Sequence, residues 1–214
     1  VEHYAGTVSE WVVVNEPYKD NEDGIDLYAK RIGPEYIDLA FQSARAAAPS
    51  AILILNEYNN ETYAGEYTQH DVALINRVKK SGLVDAVGLQ MHLDGANPPP
   101  REDVMYTMRA YGVPVVITEL DVDLSDVTGT QQERFDQQAY IYGEMLEACL
   151  ESGVCKSYTM WGIGDKYSWL ERDFRRHNAD STIYDDDLKP KPAYFTILRI
   201  LAKALGAEPE YKFP

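Results

Sequence analysis

Two glutamates in this sequence each follow a short apolar run closed by a polar residue: Glu16 after VVVN and Glu119 after VVIT. Two carboxylates at one cleft can break a glycosidic bond, one giving a proton to the leaving oxygen while the other attacks the anomeric carbon. Glu16 and Glu119 are the candidate pair. Taken alone, either reads equally well as a salt-bridged or solvated carboxylate. Their surroundings favour the pair, because polar residues close every apolar run: Asn15 and Glu16, Asn56 to Asn59, Gln90 and His92, Glu119 and Asp121, Trp161 and Asp165. If the runs are parallel barrel strands, these ends converge on one mouth, where barrel active sites lie.

The elements that must position these residues are readable. Trp11 to Val14, Ile52 to Asn56, Ala86 to Met91, Val115 to Thr118 and Ser157 to Trp161 are short, nearly continuous apolar runs, the pattern of strands covered on both faces. Helical periods lie between them. Phe135, Ala139, Tyr142, Leu146 and Cys149 recur at steps of four and three. Thr130 with Glu133 predicts a capping box at the start of that helix, and Gly153 its end. Val104, Met108 and Tyr111 form a stripe before Gly112; Tyr194, Ile197, Leu198, Leu201 and Leu205 form another before Gly206. Pro98 to Pro100 reads as a loop delivering the chain to a helix, and Asp185 to Asp187 as a solvated turn. The order βαβαβαβαβα, five strands and five helices, predicts an α/β fold with a parallel sheet. Five strands do not close a barrel of eight, so either further units lie outside Val1 to Pro214 or the sheet is open.

Composition narrows the partners. The 214 residues, 45% of them hydrophobic, suffice for a substantial core. A net charge of −15 disfavours nucleic acid as a partner. No apolar run is long enough to span a membrane. The sixteen Tyr and three Trp suit packing on sugar faces as well as core filling, and Trp11 at a strand start reads as core. Cys149 and Cys155, six positions apart and far from any His cluster, do not suggest zinc. They are either a disulfide or two buried thiols. Asn60-Glu61-Thr62 fits a glycosylation sequon, a triplet common by chance. There is no P-loop, dinucleotide fingerprint or GxSxG elbow.

The segments WVVVNE (11 to 16), LNEYN (55 to 59), GLQMHL (88 to 93), ITELDV (117 to 122), WGIGDKYSW (161 to 169) and DDLKPKPAY (186 to 194) resemble, in order, motifs of the family 10 glycoside hydrolases, the endo-β-1,4-xylanases. The resemblance covers essentially the whole chain. It implies a (β/α)8 TIM barrel of which residues 1 to 214 supply roughly strands four to eight, in one catalytic domain whose first strands are absent from this chain. It implies Glu16 as acid/base and Glu119 as nucleophile, in a retaining mechanism that needs no metal or organic cofactor. Asn15 corresponds to a residue that bonds the sugar 2-hydroxyl, and Gln90 to a contact of the same sugar. His92 matches the histidine that orients the nucleophile, with Asp121 holding its imidazole. Trp161 and Trp169 look like aromatic walls around the −1 sugar, while Asn56, Tyr58 and Asn59 resemble residues lining the positive subsites.

The implied partners are xylan or xylo-oligosaccharide and the missing N-terminal half of the barrel; the implied compartment is extracellular or periplasmic. Three departures from the family's pattern bear on substrate range: Pro17 follows the acid/base, Met91 stands where Gly is common and would add bulk beside the cleft, and Glu57 replaces Asp. Two rival readings remain, a non-catalytic polysaccharide-binding half barrel and a related β-glycanase acting on glucan or mannan.

Overall fold

A computed structural model describes residues 1–17, 27–63, 66–79, 82–172, 174 and 177–207. After a 3-10 turn at Glu2–Tyr4 come β1 (Glu10–Asn15), α1 (Leu27–Arg31), α2 (Tyr36–Ala47), β2 (Ile52–Glu57) and α3 (Glu66–Lys79). Then follow β3 (Ala86–Leu89), β4 (His92–Asp94), α4 (Arg101–Ala110), β5 (Val115–Asp123), α5 (Gln131–Ser152) and β6 (Cys155–Met160). A 3-10 turn at Asp165–Tyr167, α6 (Trp169–Arg172) and α7 (Pro192–Ala204) complete the order.

Every strand pair is parallel, and the pairs follow chain order: β1 with β2, β2 with β3, β3 and β4 with β5, β5 with β6. Order in a doubly wound sheet reverses at a switch point. It does not reverse here, so the sheet is wound as part of a barrel. The third strand position differs from the expected single run. It is broken at Gln90 and Met91, where Met91 turns to φ 62°, and resumes as β4 beside Asp121 to Asp123. That added pairing carries β5 through Asp123, so Glu119 and Asp121 lie within a strand instead of after one. Among the described residues seven α-helices replace the expected five, because α1 and α6, of five and four residues, form inside loops.

Burial separates inner strands from outer ones. All four residues of β3 are buried, whereas β1 alternates exposed and half-buried positions up to Val14. Val12 is 45% exposed. Among the described residues β1 and β6 each pair on one side only, which leaves unpaired backbone groups on both edges. Helix α7 repeats the theme. Ile197 is buried, but Leu201 and Leu205 at the end of its expected stripe are exposed.

Helix α5 is held at both ends. Thr130 and Glu133 form the reciprocal capping box, and Gly153 closes the helix at φ 75°. Arg109 donates to the Ser152 and Glu151 carbonyls, two of the acceptors a helix end leaves open. Cys149 and Cys155 are bridged, with Cα atoms 5.0 Å apart. The bridge joins the end of α5 to the start of β6 and contributes about 2 kcal/mol by constraining the unfolded chain. The Asn60 side chain is buried and donates to the Gly88 carbonyl at 3.3 Å, so this fold leaves no room for a glycan on it. No helix among the described residues is long and apolar enough to cross a membrane.

Candidate active site

Strand ends bring the candidate residues together, because backbone pairing fixes their heights. Glu16 N–H donates to the Asn56 carbonyl at 2.9 Å, and Glu119 N–H to the Gln90 carbonyl at 3.2 Å. Three side-chain amides then link the two carboxylates. Gln90 Nε2 donates to Glu16 Oε1 at 3.0 Å and to Asn15 Oδ1 at 3.2 Å. Asn56 Nδ2 donates to the same Asn15 oxygen at 2.7 Å and to Glu119 Oε1 at 2.8 Å. Asn15 Oδ1 is the shared acceptor, which leaves its Nδ2 to meet a hydroxyl.

On the far side of Glu119, His92 Nε2 lies 3.4 Å from Oε2, and His92 Nδ1 bonds Asp121 Oδ1 at 2.9 Å. Burial alone would push the imidazole pKa down. The hydrogen bonds to Asp121 and then Glu119, with their charges, outweigh burial and raise it from 6.5 to about 9. His92 is therefore a cation at neutral pH, set between two carboxylates. Asp121 is 1% exposed, and its second oxygen accepts from Trp169 Nε1 at 2.7 Å. Trp169 packs on the imidazole with centroids 4.9 Å apart, and Trp161 meets it edge-on at 6.1 Å. Trp161 is 44% exposed, an open aromatic face at the mouth.

The sign of the pH dependence follows. A pKa raised by folding contributes stability that is fully present below about 6.5 and is lost as pH rises through about 9. By linkage the rise is worth roughly 3 kcal/mol. Thermal midpoints of the wild type should fall across that window, and those of His92→Gln should run flat through it. An unchanged slope in the variant would remove His92 as the source.

Several expectations need correction. Asn56, grouped with the residues lining the positive subsites, is 1% exposed and lies beneath the carboxylates. Its neighbours Glu119 and Asn15 supply acceptors that a groove position would lack. Met91 does not crowd the cleft: it is wholly buried in the core. The left-handed turn at Met91 sends its side chain inward. Tyr58 and Asn59 stand at the end of β2, half-buried and exposed respectively. Glu57 is wholly buried, and its carboxylate accepts from the Tyr58 N–H at 3.0 Å. Trp11 is partly buried against the core.

Sequence reading passed over a buried ion pair whose aspartate lies between Trp161 and Trp169 in sequence. Asp165 and Lys191 form an ion pair at 2.8 Å with both side chains 2% exposed. The Thr182 N–H and hydroxyl also donate to Asp165, each at 2.8 Å, and Lys191 Nζ reaches the Asp180 carbonyl at 2.6 Å. Burial raises the Asp165 pKa and lowers that of Lys191, and their mutual attraction opposes both shifts. Strand β5 adds to the grip, since Val122 N–H donates to Ser181 O and Leu124 N–H to Ala179 O. The partners lie 26 positions apart, and no local pattern announces such a pair. Glu61, read only as part of the sequon, is a second overlooked carboxylate; burial raises its pKa against backbone N–H donors and the charge of His92. No group of three or more His, Cys, Asp or Glu among the described residues is arranged to hold a metal ion.

Linked carboxylates, one just after β1 and one within β5, beside a histidine and two tryptophans, form an arrangement that glycoside hydrolysis can use. The chain belongs to glycosyl hydrolase family 10, whose family model matches residues 1–200. It is similar to endo-1,4-beta-xylanase D of Talaromyces funiculosus, with 36% identity over 97% of this chain and 51% of that protein. Endo-1,4-beta-xylanase B of Thermotoga neapolitana is 32% identical over 96% of this chain and 60% of its own length. Among solved structures, native xylanase 10B from Thermotoga maritima superposes with a TM-score of 0.86 at 31% identity, covering 96% of this chain and 64% of that one. Xylanase 10B from Thermotoga petrophila RKU-1, crystallised with xylobiose, gives 0.85 at 31% identity, with 95% and 63% covered. The chain spans about half the length of most curated relatives it matches. Its parallel sheet and helices are part of a (β/α)8 barrel.

Proposed function

We propose that the protein to which these residues belong is an endo-β-1,4-xylanase that hydrolyses xylan with retention, through a glycosyl ester on Glu119. The observation that carries this is the linked pair: Glu119 and Glu16 joined through Asn56, Asn15 and Gln90. The xylanase names of the relatives supply the substrate class. Glu119 attacks the anomeric carbon while Glu16 protonates the leaving oxygen; Glu16 then takes a proton from the water that cleaves the ester. His92 and Asn56 keep Glu119 in line. Nδ2 of Asn15 is the donor offered to the sugar 2-hydroxyl, and Trp161 and Trp169 wall the sugar that reacts. Tyr58 and Asn59 face the departing end of the chain. No step uses a metal or organic cofactor.

The same reading completes the barrel with β/α units outside these residues, placed against the open edges of β1 and β6 and over the exposed end of α7. The disulfide supports an extracellular or periplasmic location. Proton NMR of xylan digests, recorded before mutarotation, tests the proposal: the β-anomer of the new reducing end should appear first. An α-anomer would overturn retention, and turnover of glucan or mannan but not xylan would overturn the substrate.

A further inference from the structure

Asn56 is turned so that its nitrogen faces two acceptors, Glu119 Oε1 and Asn15 Oδ1. Turned over, it would set its own oxygen against both, and the carboxylate has no proton to offer when ionised. Two residues outside that contact hold the orientation. Thr118 Oγ lies 2.7 Å from Asn56 Oδ1 and 3.2 Å from the Leu89 carbonyl. A hydroxyl has one hydrogen, and the shorter contact takes it. Gly88 makes the space: a Cβ there would stand 2.1 Å from Asn56 Oδ1, closer than any real contact allows. The amide oxygen therefore rests between a hydroxyl that donates to it and a backbone with no side chain.

We infer that Thr118 is a positioning residue for the nucleophile, acting through Asn56 on Glu119, and that Gly88 is required at its position to admit the Asn56 amide. Resting on the proposed xylanase reading, the inference adds residues that act on Glu119 through Asn56. Without the hydroxyl, Asn56 loses the bond that fixes its oxygen, and Glu119 loses a held donor in the step where its charge is spent. Substrate binding relies on other groups.

The test compares wild type, Thr118→Val, Thr118→Ser and Gly88→Ala in the full-length gene product containing these residues, using an aryl β-xylobioside. Thr118→Val should lower kcat about tenfold with KM within about twofold, and Thr118→Ser should restore it. Gly88→Ala should show the same loss confined to kcat. Thermal midpoints within a few degrees of wild type separate positioning from misfolding; if Val destabilises, the Thr118→Ala and Thr118→Ser pair carries the comparison. An active wild type with Thr118→Val unchanged, or a loss that falls on KM, overturns the inference alone. A wild type that turns over neither this substrate nor xylan overturns the xylanase reading and the inference with it.

Discussion

Treatment of the full-length protein with a 2-fluoro xylobioside bearing a good leaving group should leave one glycosyl ester, and peptide mapping should place it on Glu119. Fluorine destabilises the oxocarbenium-like transition state of both steps, while the activated leaving group restores only the first. The ester therefore accumulates. Glu119 is the proposed site because it sits on central strand β5, with Asn56 on one oxygen and His92 at 3.4 Å from the other. Glu119→Ala should abolish labelling and lower kcat on xylan by at least about 10⁴-fold, the scale on which a lost nucleophile is felt. A label on any other carboxylate removes Glu119 from the role. No label and no turnover would instead support a polysaccharide-binding module.

Glu16→Ala should part the two half-reactions. On xylan, whose leaving sugar needs a proton, the rate should fall about 10²- to 10⁴-fold, the usual worth of general acid catalysis. On an aryl xylobioside whose phenol leaves unaided, the first step should stay close to wild type and the burst of phenol should persist. Turnover then stalls because no base activates water, and added azide, which needs no deprotonation, should release the ester as a glycosyl azide. Glu16 is held by Gln90 Nε2 at 3.0 Å, so removing its carboxyl leaves the Glu119 contacts intact. Equal losses on both substrates would assign the proton to another group.

The strands were legible because they are local patterns. A covered strand writes itself as VVIT, whereas VVVN reads the same way yet leaves Val12 45% exposed in β1. The capping box and Gly153 were legible for the same reason. What escaped depends on contacts across the fold. Asn56 resembles any other polar strand-end residue until Gly88, Thr118 and Glu119 surround it. Met91 was misplaced because a single left-handed residue, which no periodicity reveals, exchanges cleft for core. Asp165 and Lys191 were invisible as partners, and the cysteine spacing left bridge and thiols equally open until α5 and β6 were set side by side.

Glu16 has φ 52°, in the region L-residues avoid, and Asn59 at the end of β2 shares that value. For a side chain such as glutamate the conformation costs roughly 1–2 kcal/mol, and the following Pro17 restricts its neighbour further. Asparagine or glycine would sit at position 16 with less strain. In evolutionary time this is a standing bias: a lineage that ceased to need the proposed acid would drift toward those residues and gain stability as it lost the carboxylate. A descendant with asparagine or glycine there would carry the mark of released selection, legible in the genome alone.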